Sequence, residues 1–197
     1  MPLLIGFILL FSSWQWAEPP VERGILITRN ASVSIYSNGV LEPIRATNEQ
    51  IGGEIDLDNK SFRFRIQTPA FVFPSKLMER HVHEEYLETH LFPEANFHGN
   101  FPEIIDLNQD GDYEITAIGD LQIHGVSKAR TIKGTVSVLN GELKLKSQFI
   151  IVFQEHNIKI PTLFFTDYAT QVEVTVIGDL AKFNGAESHN SSSNKLP

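Results

Sequence analysis

The sequence contains no cysteine. This absence excludes disulfide bonds, thiolate metal ligands, a cysteine nucleophile and lipid attachment through cysteine. Runs of lysine or arginine are missing too, and the formal net charge is -8 at pH 7. Such a charge balance repels a phosphate backbone, so no nucleic-acid partner is predicted.

Signatures of common catalytic sites are also missing. The chain has no Gly-x-Ser-x-Gly segment, and its glycines stand singly or in turns rather than in a phosphate-binding loop. Tyrosine is scarce, with 4 Tyr against 14 Phe, so most of the aromatic surface carries no polar group. These absences favour a binding protein over an enzyme, and no cofactor is predicted.

One apolar run stands at the N-terminus. Residues Pro2 to Phe11 read PLLIGFILLF, which is about the length of a signal-peptide core and too short to cross a bilayer. Ala17 offers a small residue for cleavage, although no Lys or Arg precedes the run. We expect residues 1–17 to be a signal peptide and the protein to be periplasmic or secreted. The alternative is a first core strand or a buried helix.

Alternating apolar and polar residues predict strands over most of the remaining chain. The alternation is clearest in Ser61–Gln67 and recurs in Gln171–Ile177. Turn residues separate such runs, as in Asp58-Asn59-Lys60 and Leu139-Asn140-Gly141. Phe149–Phe153 is apolar on both faces, so we expect that strand to be covered on its outer side as well. The pattern predicts an all-β, antiparallel fold.

One segment, Ser75–Leu87, has a helical pattern instead. Ser75 can cap a helix, and Met78, Val82 and Tyr86 recur four residues apart on one face. We expect a single helix that covers one end of a barrel or lies on a sheet. From residue 182 onward the chain is polar, and we expect residues 182–197 to be a disordered tail.

Two polar clusters have metal-binding character. His81-Val82-His83 followed by Glu88 resembles the first motif of the cupins, but Ser75 and Ala95 replace the two cupin glycines. On a helix, positions two apart lie on roughly opposite sides, so the competing interpretation is two solvent-facing histidines. A metal-dependent enzyme of cupin-like type using His81, His83 and Glu88 is the alternative function.

The second cluster is Asp106–Asp112, which begins like an EF-hand calcium loop. Ala117 stands where that loop needs a bidentate glutamate. Asp, Asn and Gly also build hairpin turns without any metal. We expect a solvated turn, and calcium binding by this loop stays open.

Three longer blocks resemble the YceI family of lipocalin-like lipid-binding proteins. The first is Lys76–Gly99, with an aromatic-proline pair at Phe92-Pro93. The second is Gly119–Lys128, which contains Leu-Gln-Ile-His-Gly-Val-Ser-Lys, and the third starts at His156. Their order and spacing match the family over residues 24–181. The chain departs from many members at residues 155–158, where they have an Arg-x-x-Phe-Gly-type segment.

The resemblance implies an extended antiparallel β-barrel of about eight strands with one short helix, covering residues 18–181. It further implies an apolar lumen that holds a polyisoprenoid, a fatty acid or a fatty amide, a periplasmic location and no catalysis. Transient membrane contact and a homodimer stay open. A role in adhesion or stress through the barrel surface has no identifiable patch to support it.

The lumen residues follow from placing the more apolar face of each strand inward, which leaves no charge inside. The predicted lumen residues are Val33, Ile35, Phe62, Phe64, Ile66, Phe97, Ile115, Leu121, Ile123, Phe149, Ile151, Phe153, Val172 and Val174.

Overall fold

The structure is a computed structural model that describes residues 24–38, 43–159 and 170–183. The predicted signal peptide and most of the predicted tail lie outside these residues. The strands of the described residues are β1 Ile25–Ser37, β2 Ile44–Asn48, β3 Ile51–Asp56, β4 Ser61–Gln67, β5 Glu94–Asn100, β6 Gly111–Ile123, β7 Val126–Leu139, β8 Glu142–Val152 and β9 Gln171–Lys182. Because β9 runs to Lys182, the first residue assigned to the tail belongs to a strand.

The strands close into an antiparallel barrel, as the sequence predicts. From β3 to β9 each strand pairs with the next one in the chain, while β1 pairs with β2, β3 and β9. Val33 of β1 pairs with Asn48 of β2, and Ile25 of β1 pairs with Asp56 of β3. These two pairs are eight residues apart on β1 and also eight residues apart from β2 to β3. β2 and β3 are therefore two parts of one strand, and the barrel has eight strands.

A buried asparagine stabilises the break between β2 and β3. The Asn48 side chain is 1 % exposed. Its Nδ2 donates to the carbonyl of Gln67 at 2.8 Å, and its Oδ1 accepts from the amide of Gln50 at 2.7 Å. These bonds satisfy backbone groups that the interrupted ladder would otherwise leave unpaired.

The connection from β4 to β5 carries the helix and lies at one end of the barrel, here called the upper end. Helix α1 spans Lys76–His81 and continues as a π-helical turn over Val82–Tyr86. Ser75 caps it by accepting from the amide of Met78 at 3.3 Å. Val82 and Tyr86 are buried, which confirms the predicted apolar face. Among the described residues, no helix has the length and hydropathy to span a membrane.

The opposite, lower end is closed by the connection from β5 to β6. Phe101 and Ile105 are 4 % and 3 % exposed and belong to a hydrophobic cluster of the lower barrel. The next residues form a turn, in which Asp106 Oδ1 accepts from the amide of Asn108 at 2.9 Å. Asp110 Oδ1 accepts from the amide of Asn140 at 3.0 Å. These carboxylates therefore bind backbone amides, which confirms the expected turn.

The outer face of β8 differs from its prediction. Ile150 points outward and is 52 % exposed, so the strand is not covered on both sides. The barrel wall is a single sheet, and the side chain of Ile150 lies on its outer face. Apolar character on both faces of Phe149–Phe153 therefore does not indicate a second layer here.

Candidate ligand cavity

An apolar cavity occupies the interior of the barrel. Its volume is about 200 Å³. Side chains from the strands, from the helical connection and from the lower closure form its wall. None of the described lining residues has an ionisable side chain. Such a wall is compatible with hydrocarbon and offers no opposite charge to hold a charged ligand.

All fourteen predicted lumen residues line this cavity. Seven of them retain exposed surface although they face inward: Ile35, Phe64, Ile66, Phe97, Ile115, Phe149 and Phe153. Packed protein cores leave little such surface, so these side chains border unfilled space. Contact between them and a ligand stays a prediction.

The sequence interpretation missed part of the wall. Leu145 and Ile55 also line the cavity, and each lies on a strand whose inward residues recur at every second position. Extending this two-residue period along β8 and β3 could have found them. Phe71, Phe101 and Ile105 lie in connections, where no period marks the inward side. The remaining described lining residues are Ile51, Thr68, Leu87, Ala95, Asn96, Ala117, Ile132, Gly134, Val136, Ser147, Ile158 and Val176.

Phenylalanines narrow the middle of the cavity without filling it. The ring centroids of Phe62 and Phe97 are 4.7 Å apart, and those of Phe62 and Phe64 are 6.1 Å apart. Phe97 packs against the lower cluster and against a second one, here called the upper cluster, which includes Phe73, Val82 and Tyr86. We call these three residues the waist, because Phe62 and Phe64 belong to the lower cluster and Phe97 joins them to the upper one.

The residues of the cupin-like interpretation have separate partners. Nε2 of His83 lies 3.0 Å from the carbonyl oxygen of Phe71. Glu88 Oε2 lies 2.8 Å from Nε2 of His124, the first residue of the turn between β6 and β7. Within the part of the chain that the structure describes, no three His, Asp or Glu side chains group as a metal site. His81, His83 and Glu88 are therefore not brought together as ligands, because the helical backbone separates them.

His124 begins the turn between β6 and β7. The structure adds a contact that the sequence did not indicate, since its ring packs on Phe92 with centroids 4.3 Å apart. Its Nδ1 lies 3.3 Å from the carbonyl oxygen of His156. His124 thus connects the helical segment, the β6–β7 turn and the segment after β8.

The wall between β7 and β8 is paired only in its lower half. Pairing ends at Gly134 and Ser147. Above them, residues 126–133 of β7 and 148–152 of β8 face each other without pairing, and we call this gap the seam. The 3₁₀ turn Phe153–His156 lies against β7 and covers the seam. Arg130 of β7 forms an ion pair with Glu155 of this turn.

His156 is the most deeply buried polar side chain of the seam. It is 0 % exposed, and its Nδ1 lies 3.1 Å from the carbonyl oxygen of Val126. The carbonyl can only accept, so Nδ1 carries the proton. Burial lowers the pKa of His156 and outweighs the opposing contact with Val126. Residues 155–158, which depart from the common family pattern, therefore close the barrel wall.

Known proteins share this architecture. The crystal structure of Burkholderia cenocepacia BcnA is similar with a TM-score of 0.64 and 17 % identity, over 77 % of this chain and 96 % of that chain. A polyisoprenoid binding domain from Saccharophagus degradans, implicated in plant cell wall breakdown, has a TM-score of 0.68 and 13 % identity, over 82 % and 100 %. The Campylobacter jejuni YceI protein has a TM-score of 0.52 and 11 % identity, over 92 % and 99 %.

At these identities the likeness shows a common fold. None of the curated proteins matches the chain. The family model of the YceI-like domain matches residues 26–181, which include every strand of the barrel except the ends of β1 and β9. The chain therefore belongs to the YceI-like domain family.

Proposed function

We propose that this protein binds one apolar chain in the barrel lumen and does not change it chemically. The observation that carries the proposal is an unfilled cavity whose described lining has no ionisable side chain. Inward-facing side chains such as Phe149 and Phe97 keep exposed surface, which an alkyl or prenyl chain would cover. The Saccharophagus relative, named as a polyisoprenoid binding domain, supports a ligand of this class.

The size of the lumen sets the length of the chain. Ile115 and Ile123 both line the cavity and lie eight residues apart on β6. With about 3.3 Å per residue and a strand tilt of about 40°, they are separated by about 20 Å along the barrel axis. A fully extended hydrocarbon advances about 1.25 Å per carbon, so about 16 carbons fit in this length. Polyisoprenoids, fatty acids and fatty amides all supply such a chain.

The protein acts as a carrier in the periplasm or outside the cell. This part of the proposal rests on the apolar N-terminal run, which has the length of a signal-peptide core. A bilayer is as apolar as the lumen, so transfer of a chain between them is close to balanced in free energy. Balanced transfer suits uptake and release during transient membrane contact better than permanent sequestration.

A chain-length series tests the proposed function. Primary n-alkyl amides of increasing length are titrated against the protein carrying a displaceable fluorescent hydrocarbon probe. Each added methylene contributes about 0.8 kcal/mol, so affinity should rise about fourfold per carbon and level off near 16 carbons. The released amide should be chemically unchanged. Affinity that does not depend on chain length, or an altered ligand, would contradict the proposal.

A further inference from the structure

We infer, resting on the proposed function, that Phe101 and Ile105 are specificity-determining residues that set the longest chain the lumen binds. The two side chains form what we call the partition, which separates the lumen from a second pocket at the lower end of the barrel. The partition stops the chain sterically and also marks the border between an apolar and a charged compartment.

The second pocket, here called the lower pocket, lies between the β3–β4 turn and the β5–β6 connection. Its volume is about 410 Å³. The residues that line it are Leu57, Asp58, Lys60, Phe101, Glu103, Ile104 and Ile105. Ile104 is 60 % exposed and Asp58 is exposed as well, so the lower pocket opens to solvent. Unlike the described wall of the lumen, its wall carries ionisable side chains.

The partition is the thin part of the lower closure. Among the described residues, Phe101 and Ile105 are the two that border both the lumen and the lower pocket. A single layer of side chains therefore separates the two cavities there. Elsewhere the closure is thicker, since Leu26 and Leu143 belong to the same buried cluster and border neither cavity.

Hydrogen bonds fix the backbone of the partition from two sides. The amide of Phe101 donates to the carbonyl of Lys60 at 3.0 Å, and Lys60 Nζ donates to the carbonyl of Pro102 at 2.9 Å. Glu103 Oε1 accepts from the amide of Thr116 at 3.0 Å. These bonds tie the connection to the β3–β4 turn and to β6. The end of a chain therefore meets the partition at a fixed position.

The gain in affinity per carbon also ends at the partition. Above it, each methylene leaves water for an apolar wall, which raises affinity about fourfold. Below it, a methylene would face water together with Asp58, Lys60 and Glu103, and it would gain little. Covering those charges would in addition remove part of their hydration. A longer chain therefore gains affinity only if the partition itself is cut back.

The test extends the series of n-alkyl amides to longer chains and compares Phe101→Ala with the unchanged protein. Removing the phenyl ring frees about 5 Å, which is the length of about four carbons. Affinity for Phe101→Ala should therefore keep rising until about 20 carbons, whereas the unchanged protein levels off at about 16. The ratio of icosanamide to hexadecanamide affinity should be at least about tenfold higher in the variant.

Leu143→Ala is the matched control. Leu143 is 5 % exposed and belongs to the same cluster as the partition, but it borders neither cavity. The variant should lower the midpoint of urea unfolding and leave the length limit unchanged. Phe101→Leu removes less of the side chain and should move the limit by about two carbons. It keeps the test decisive if Phe101→Ala does not fold.

A reporter in the lower pocket detects the end of the chain directly. Because the sequence has no cysteine, Ile104→Cys creates one attachment site for an environment-sensitive fluorophore. Icosanamide should shift the emission to shorter wavelength when Phe101→Ala is also present, and should leave it unchanged when the partition is intact. Hexadecanamide should shift the emission in neither protein.

A length limit that does not move in Phe101→Ala and Phe101→Leu, or that moves equally in Leu143→Ala, overturns the inference and leaves the proposed function intact. An emission shift on binding to the protein with an intact partition also overturns it, because the chain would then pass between Phe101 and Ile105. If no amide binds the unchanged protein, the proposed function itself fails.

Discussion

Phe62 of β4 packs diagonally on Phe97 of β5, with ring centroids 4.7 Å apart and ring planes inclined by 52°. The residue directly opposite Phe62 is Gly99, which has no side chain to occupy that space. Phe97 is also the side chain that contacts both hydrophobic clusters of the barrel. This pair therefore places two aromatic rings at the level where the two clusters meet.

Replacing Phe97 should widen the waist. We expect Phe97→Ala to lower the free energy of unfolding by about 2 kcal/mol, less than for a fully buried phenylalanine because Phe97 is only half-buried. Affinity for the branched chain of geranylgeraniol should improve about fivefold relative to straight hexadecanol, which corresponds to about 1 kcal/mol. Urea unfolding and probe displacement measure the two effects.

His98→Ala is the matched control for Phe97→Ala, since His98 is the exposed neighbour on the outer face of the same strand. It should change neither stability nor the ratio of the two affinities. An unchanged ratio in Phe97→Ala would show that the waist does not limit the ligand.

The stability of the protein should fall in mild acid because of His156. Its pKa is lowered by burial, so the unfolded chain binds the proton more readily than the folded one. The resulting stability is fully present above the unfolded pKa of about 6.5 and is lost as the pH falls below it, by at most about 1.4 kcal/mol per pH unit. Urea unfolding at about pH 8 and about pH 5.5 measures this loss.

His156→Asn separates this effect from other titrations. The asparagine amide can still donate to the carbonyl of Val126 but does not titrate. The variant should be less stable at about pH 8 and should lose less stability than the unchanged protein on acidification. Equal losses in the two proteins would assign the pH dependence to other groups.

Two hairpin turns allow local strain to be compared directly. Gly125 and Gly141 follow His124 and Asn140 in two-residue turns and have φ of 71° and 81°. A Cβ on Gly125 would lie 2.7 Å from the Phe92 ring, whereas a Cβ on Gly141 meets nothing within 4 Å. Gly141→Ala should cost about 1 kcal/mol for its backbone conformation, and Gly125→Ala at least about 1 kcal/mol more for the clash.

Thermal or urea unfolding of the two alanine variants checks this difference. A similar loss in both would mean that Phe92 moves aside freely and that the contact between Phe92 and His124 does not hold the upper end together. Weaker ligand binding in Gly125→Ala alone would connect that contact to the shape of the upper lumen.

The sequence predicts the barrel well because a strand in a single-layered barrel has one apolar face. Phe62, Phe64 and Ile66 alternate with polar residues, and the structure places all three inward. The same rule fails at Ile150, which is apolar but faces solvent. A single exposed apolar side chain costs too little free energy to prevent folding. Alternation therefore locates the lumen but does not identify what covers the outside.

The ends of the barrel are harder to predict, because contacts there join residues far apart in the chain. Glu88 approaches His124, and His156 approaches Val126, across about 30 or more positions. Phe101 and Ile105 close the lower end from a connection without periodicity. Helical signals in residues 75–87 did predict the cap, since Ser75 and the spacing of Met78, Val82 and Tyr86 are local.

The most direct test of lipid binding in the lumen reduces the space there with a larger side chain. Ala117 lines the cavity on β6, and its neighbour Ile118 faces outward. We expect protein purified from cells to release a stoichiometric apolar lipid on extraction with organic solvent, and Ala117→Phe to release little while Ile118→Phe releases the normal amount. Mass spectrometry of the extracts measures this. Equal amounts of lipid from both variants, or none from the unchanged protein, would contradict binding in the lumen.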